Sequence, residues 1–119
     1  MNKQGIIYED TATKYLLKKG YKILDRNFKT KFGEIDIIAL DKDILVFIEV
    51  KGGKDDLYDP AERADINKLR KVMRTADFYI SRYKGNFEEV RIDVISVNKN
   101  LEINHYPSQR IWFLCEFLL

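Results

Sequence analysis

The fold turns on Gly33-Glu34-Ile35-Asp36-Ile37-Ile38-Ala39-Leu40 and, after Asp41-Lys42, on Asp43-Ile44-Leu45-Val46-Phe47-Ile48-Glu49-Val50-Lys51. Each half is short and rich in β-branched residues, which reads as a strand rather than a helix. The separator Asp41-Lys42-Asp43 is too brief for a crossover, so the two strands form an antiparallel hairpin. The near-continuous apolar run from Ile44 to Ile48 implies a strand covered on both faces. Both halves also carry charge: Asp36 between two isoleucines, and Glu49 and Lys51 at the end of the apolar run.

Outward from this hairpin, Tyr21 to Thr30 reads as a further strand with Tyr21, Ile23, Leu24 and Phe28, set off by Lys31-Phe32-Gly33. Before it, Lys3 to Lys19 has helical periodicity. Ile6, Ala12, Thr13, Leu16 and Leu17 share one arc, while Lys14, Lys18 and Lys19 point away. Gly20 suits the left-handed position just past a helix. After the hairpin, Gly52-Gly53-Lys54-Asp55-Asp56 reads as a polar loop. A second helix then starts at Pro60 with Asp59 as its cap and runs to about Tyr83, burying Ala64, Leu69, Val72, Ala76 and Ile80. Gly85-Asn86 ends it, and Glu89–Val97 and Leu101–Tyr106 supply two more strands. The expected class is α/β, in the order helix, three strands, helix, two strands.

The 119 residues suit one domain, 1–119, with an apolar tail from about residue 108. With 45% hydrophobic and 13% aromatic residues, the chain has material for a core. A formal charge of +2 allows a basic face without announcing one. The lone Cys115 cannot close an internal disulfide, Met1–Tyr8 lacks a signal-peptide pattern, and the apolar run 111–119 falls short of the roughly 20 residues of a spanning helix. A cytoplasmic protein with no membrane segment is expected. The tail is a candidate contact for a homodimer.

The chemistry gathers on three positions. Residues two apart on a strand project from one face, so Glu49 and Lys51 do. If 36–40 pairs with 43–49, Asp36 comes beside Glu49. Two carboxylates about 4 Å apart repel by roughly 4 kcal/mol at an effective dielectric near 20. A divalent cation removes that repulsion, and hard oxygen donors select Mg²⁺ or Mn²⁺. A lysine beside such an ion can orient water or stabilise charge on a phosphoryl oxygen. Glu9 falls inside the apolar arc of the first helix, as an uncompensated burial or as a third acidic group of the site. A solvated strand end for Glu49 and Lys51, and an outward polar Asp36, are the competing readings. Glu34 reads as a surface residue and Asp93 as half of a structural salt bridge. Lys68, Arg70, Lys71 and Arg74 make the second helix basic, either as a solvated face or as phosphate contacts. His105 has no His or Cys partner at zinc spacing, and Cys115 reads as a packing residue.

In order along the chain, these residues resemble a known pattern. Asp36 followed by Glu49-Val50-Lys51 resembles the signature of the PD-(D/E)xK nuclease superfamily. Gly5, Glu9-x-x-Ala12-x-x-Tyr15-Leu16, Gly20-Tyr21, Arg26-Asn27, Gly33 to Ala39, Leu45 to Lys51 and Arg91 to Ile95 more closely resemble the YraN-like family of small endonuclease-like proteins, distantly similar to archaeal Holliday-junction resolvases. The resemblance implies a restriction-endonuclease-like core with a mixed central β-sheet flanked by helices. It also implies metal binding by Asp36 and Glu49, with Glu9 at the same site, and a role for Lys51 on water or phosphate. The implied activity is Mg²⁺- or Mn²⁺-dependent hydrolysis of DNA, branched or single-stranded. The alternative is a nucleic-acid-binding accessory protein that keeps the fold without turnover. Gly53 stands where the family often carries a basic residue.

Overall fold

The computed structural model describes residues 3–53 and 66–107, less the side chains of Ile66, Lys68 and Leu69. Its elements run α1 (Lys3–Lys18), β1 (Lys22–Thr30), β2 (Gly33–Asp41), β3 (Ile44–Gly52), α2 (Ile66–Arg82), β4 (Glu89–Val97) and β5 (Ile103–Pro107). The helix start at Asp59-Pro60, the burial of Ala64 and Leu69, the loop 54–56, the side chain of Lys68, Cys115 and the whole apolar tail lie outside the described residues.

The strands form one mixed sheet in sequence order, β1-β2-β3-β4-β5. β1, β2 and β3 are antiparallel neighbours, as are β4 and β5, whereas β3 and β4 are parallel. A parallel pair needs a long crossover, and α2 lies within this one. β3 is therefore hydrogen-bonded on both sides and is the sheet's central strand. Its Leu45, Val46, Phe47 and Ile48 are all fully buried, as a run covered on both faces requires.

The two helices cover opposite faces. Ala12 and Leu16 of α1 pack with Ile37, Ala39, Val46, Ile48, Ile95 and Val97. Met73 and Ala76 of α2 pack with Ile35, Ile38, Leu45, Phe47 and Ile92. α1 ends as its glycine foretells: Gly20 has φ +93°, its N–H donates to Leu17 O (3.0 Å), and Tyr21 N–H donates to Leu16 O (2.9 Å). That pattern satisfies the last carbonyls and brings Tyr21 into the same core as Leu16.

The apolar arc of α1 is narrower than its periodicity suggests. Ile6 and Leu17 are 44% and 54% exposed, and the helix buries only Glu9, Ala12 and Leu16. On α2, Met73, Thr75 and Ala76 are buried, while Val72 and Ile80 are only half-buried.

Candidate functional site

The site is built where the regular alternation of β1 and β2 slips. Across this pair Arg26 faces Ile37 and Phe28 faces Ile35. Ile37 belongs to the α1-side core, yet Ile35 and Phe28 belong to the α2-side core. Residues two apart normally share a face, so the sheet is distorted between them. Asn27 lies at that point with φ +53°, a left-handed conformation that asparagine tolerates better than most residues. Asp36 lies opposite, between two side chains sent to different faces. Its carboxylate is aimed along the sheet at β3, where Val50 N–H donates to its Oδ2 at 2.7 Å.

The β2–β3 ladder runs from Asp41↔Ile44 to Ile37↔Ile48. Continued by one pair it sets Asp36 opposite Glu49, so the two carboxylates come near each other as the hairpin reading expects. Here a side-chain carboxylate takes the place of a main-chain acceptor for β3. Glu49 and Lys51 share a face, and Lys51 Nζ lies 3.2 Å from Glu49 Oε1. The lysine side chain is only 19% exposed. A freely solvated strand end is therefore not what the geometry shows.

Two depressions meet at Asp36 and Val50. One, of about 270 Å³, is bordered by Gln4, Tyr8, Glu9 and Gly52 on the α1 side. The other, of about 380 Å³, is bordered by Glu34, Glu49, Lys51 and Lys71 toward α2. Asp36 lines both. Burial pushes its carboxyl up to about 6; the Val50 N–H opposes that rise, and the charges of Glu9, Glu49 and Glu34 add to it.

Glu9 is 2% exposed, but its charge is compensated within the chain. Arg26 Nε and Nη2 donate to its Oε1 at 3.2 and 3.1 Å, and Asn27 Nδ2 donates to the same oxygen at 2.9 Å. Arg26 also reaches Asp10 Oδ1 at 2.7 Å. Burial disfavours the guanidinium's charge, but hydrogen bonds to Asp10 and Glu9 outweigh it and raise its pKa above the ordinary value. Glu9 thus shares a cavity with Asp36 while being held by Arg26. Among the described residues no three His, Cys, Asp or Glu side chains gather closely enough to hold a metal ion. The expected trio of Glu9, Asp36 and Glu49 is not drawn together in that way. The donors that remain, the Asp36 and Glu49 carboxylates beside open volume, are hard oxygens of the type Mg²⁺ and Mn²⁺ accept with water completing the shell.

Of the basic residues, Lys71 borders the larger cavity. Arg70 and Arg74 are exposed on α2 without lining it. Asp93 is fully buried and anchors a separate network: Arg91 Nε and Nη2 donate to its two oxygens at 2.8 and 3.0 Å, and His105 Nε2 lies 2.7 Å from Oδ2. The other ring nitrogen of His105 lies 2.9 Å from the Tyr15 hydroxyl. Asp93 is accordingly the structural bridge its context suggests. Glu34 is exposed and pairs with Lys29 at 3.8 Å.

Sequence reasoning alone does not single out the roles of Arg26, Asn27 and Tyr8. The only signal for the first two is that a buried Glu9 needs a cation from elsewhere. Tyr8 lies so close over Gly52 that a Cβ there would overlap its ring, and its hydroxyl also sits against Gly53. The paired glycines after Lys51 are thus the floor under an aromatic ring.

Residues 8–97 match the family described as "Uncharacterised protein family UPF0102". The chain belongs to the UPF0102 family. A UPF0102 protein of Petrotoga mobilis is 48% identical over 112 residues, covering 93% of this chain and 100% of that protein. A UPF0102 protein of Fervidobacterium nodosum is 49% identical over 108 residues, covering 89% of this chain and 80% of the relative. Every site residue named above from Tyr8 to Lys71 lies inside the UPF0102 match. Among solved structures, SfsA of Pyrococcus furiosus in complex with Ca²⁺ aligns with a TM-score of 0.35 and 15% identity over 87% of this chain and 62% of that one. At that score the likeness carries no argument about this UPF0102 chain. No helix among the described residues is long and apolar enough to cross a membrane.

Proposed function

We propose that this UPF0102 chain is a Mg²⁺- or Mn²⁺-dependent endonuclease that hydrolyses phosphodiester bonds in DNA, branched or single-stranded. The observation that carries the proposal is Asp36: a carboxylate turned into the plane of the sheet by a local slip, bonded to Val50 N–H, opposite Glu49, and open to cavities on two sides. A group with a carboxyl pKa of about 6 near three further carboxylates is poorly placed for stability. Such arrangements cluster at functional sites.

Asp36 and Glu49 would hold the divalent ion, which when bound supplies charge neutralisation at the phosphate and a more acidic water. The Val50 N–H fixes the Asp36 carboxylate so that one oxygen is oriented before any ligand arrives. Lys51, held beside Glu49, is placed to donate a hydrogen bond to a phosphoryl oxygen or to orient the attacking water. Lys71 at the rim adds a second ammonium for the phosphate backbone. Glu9, already paired with Arg26, contributes negative field from the far cavity and keeps the Asp36 region attractive to a cation.

The test is a panel of linear, single-stranded and branched DNA with Mg²⁺ or Mn²⁺. The proposal expects cleavage that EDTA abolishes and that Asp36→Ala, Glu49→Ala and Lys51→Ala each reduce by at least about 100-fold, as the loss of one preorganised electrostatic contact does. Undiminished cleavage by Asp36→Ala or Glu49→Ala would remove those residues from the reaction. A second reading, binding without turnover, is favoured by Gly52 and Gly53, which leave a tyrosine ring where a further basic side chain could stand. It expects salt-sensitive DNA binding and no metal-dependent cleavage on any substrate in the panel.

A further inference from the structure

Three cation–aromatic contacts cluster on α2 and the β1–β2 turn, outside the cavities, and none belongs to the core or to the site described. The guanidinium of Arg74 lies over the ring of Phe32, 5.8 Å from its centroid, and Lys31 Nζ lies 5.3 Å from the same centroid. One turn of α2 further, the guanidinium of Arg82 lies 4.5 Å from the centroid of Phe78. Positions 70, 74, 78 and 82 recur every four residues, so they form one ridge along α2. Arg70, Arg74, Arg82 and Lys31 are all exposed. The ridge begins at Arg70, next in sequence to Lys71, which borders the Glu49–Lys51 cavity.

We propose that this ridge and the β1–β2 turn form a track for the sugar–phosphate backbone of one nucleic-acid strand, leading away from the cavity. The proposal rests on the nuclease reading for its direction, since it takes the cavity as the place where the strand is cut. A guanidinium laid on an aromatic face keeps its N–H donors in the ring-parallel plane and available to an oxyanion. The rings thus hold the arginines extended before a ligand arrives, which lowers the ordering cost of binding. The turn itself is anchored to α2: the Thr30 and Thr75 hydroxyls lie 3.5 Å apart, and the Gly33 backbone packs against Thr75 and Lys71.

Spacing favours a polymer with a repeating anion. From position 70 to 82 an α-helix rises about 18 Å at ~1.5 Å per residue, long enough to meet several successive phosphates of one strand. Among the described residues, acidic groups nearby include exposed Asp77 on α2 and Glu34, the latter facing Lys29. Neither pairs with Arg74 or Arg82 in the interactions described. A planar fork fits phosphate with two parallel hydrogen bonds, which a carboxylate-bearing peptide would offer only irregularly. Nothing on the ridge reads base edges, so the contact is indifferent to sequence.

The experiment measures binding of labelled single-stranded DNA by anisotropy across a salt series in EDTA, where no cleavage occurs. The proteins are wild type, Arg74→Gln, Arg82→Gln and Phe32→Leu, each checked for folding by circular dichroism. Each arginine substitution is expected to lower the log–log salt slope by about 0.7 and to weaken binding about fivefold near 0.1 M salt. Phe32→Leu removes no charge, yet is expected to weaken binding about two- to fivefold by releasing Arg74. Wild-type slopes in both arginine variants, or competition by polyglutamate equal to that of DNA, would overturn the track. Cleavage by wild type and by Glu49→Ala is scored separately in Mg²⁺. Arginine-dependent binding without wild-type cleavage keeps the track and removes the nuclease reading. Cleavage with arginine-independent binding does the reverse.

Discussion

Replacing Asp36 by asparagine should make the metal-free protein more stable, although it removes a central residue of the proposed site. Burial beside Glu9 and Glu49 lifts the Asp36 carboxyl from 3.8 to about 6. Between those values the folded chain keeps a proton that the unfolded chain has released. Folding stability therefore falls as pH rises from about 4 to about 6, and stays low above that. Each unit is worth about 1.4 kcal/mol, so a rise of about two units sets a ceiling near 3 kcal/mol on the cost of the charged form at neutral pH. Asparagine carries no charge, yet its carbonyl can still accept the Val50 N–H. Denaturant unfolding in EDTA at about pH 7.5 should show a gain of roughly 1–3 kcal/mol for Asp36→Asn, fading to little below about pH 4, where aspartate is neutral in both states. Added Mg²⁺ should reverse the ranking, because a ligand stabilises only the folded state that binds it. A variant less stable than wild type at neutral pH, or a gain that persists unchanged in acid, would refute the electrostatic account of this carboxylate.

Arg26→Met should cost about 3–5 kcal/mol, because it leaves the buried Glu9 carboxylate without its cation; Glu9→Gln in the same chain should recover much of that loss in unfolding experiments. Asp93→Asn should destabilise by about 3–5 kcal/mol, since Arg91 and His105 both lean on that buried carboxylate, and it should do so without changing metal affinity. Gly52→Ala should cost about 1–3 kcal/mol through collision with the Tyr8 ring, and the double variant with Tyr8→Ala should show clear non-additivity in a thermodynamic cycle.

Much of the frame could be read from residue order. Short separators and β-branched runs gave the β1–β2–β3 meander, whereas the parallel pairing of β3 with β4 across the helix is visible only in the structure; the family resemblance implied no more than a mixed sheet. The nearness of Asp36 to Glu49 follows from the short separator, but the register that sets them opposite does not: the turn falls on Lys42-Asp43, between Asp41 and Ile44, rather than on Asp41-Lys42. The shared face of Glu49 and Lys51 follows from the pleat. What strand periodicity could not reveal was the slip at Asn27 and Asp36, because alternation presumes a regular strand and the distortion depends on a pairing partner far along the chain. For the same reason Glu9 looked uncompensated until β1 brought Arg26 and Asn27 against it. The Tyr8 ring over Gly52 joins α1 to the end of β3, a contact that no local pattern encodes. Ile6 and Leu17 show the opposite failure: a clean helical arc whose edges are exposed.

The central claim is that Asp36 and Glu49 together bind a divalent cation for phosphodiester hydrolysis. Calorimetric titration of Mn²⁺ into wild type, Asp36→Ala and Glu49→Ala measures that directly, with a surface variant such as Lys14→Ala as the folded control. The account predicts saturable binding by wild type and the control, and at least about tenfold weaker binding by either site variant while it remains folded. Equal binding by all four proteins, or none by wild type, would contradict it.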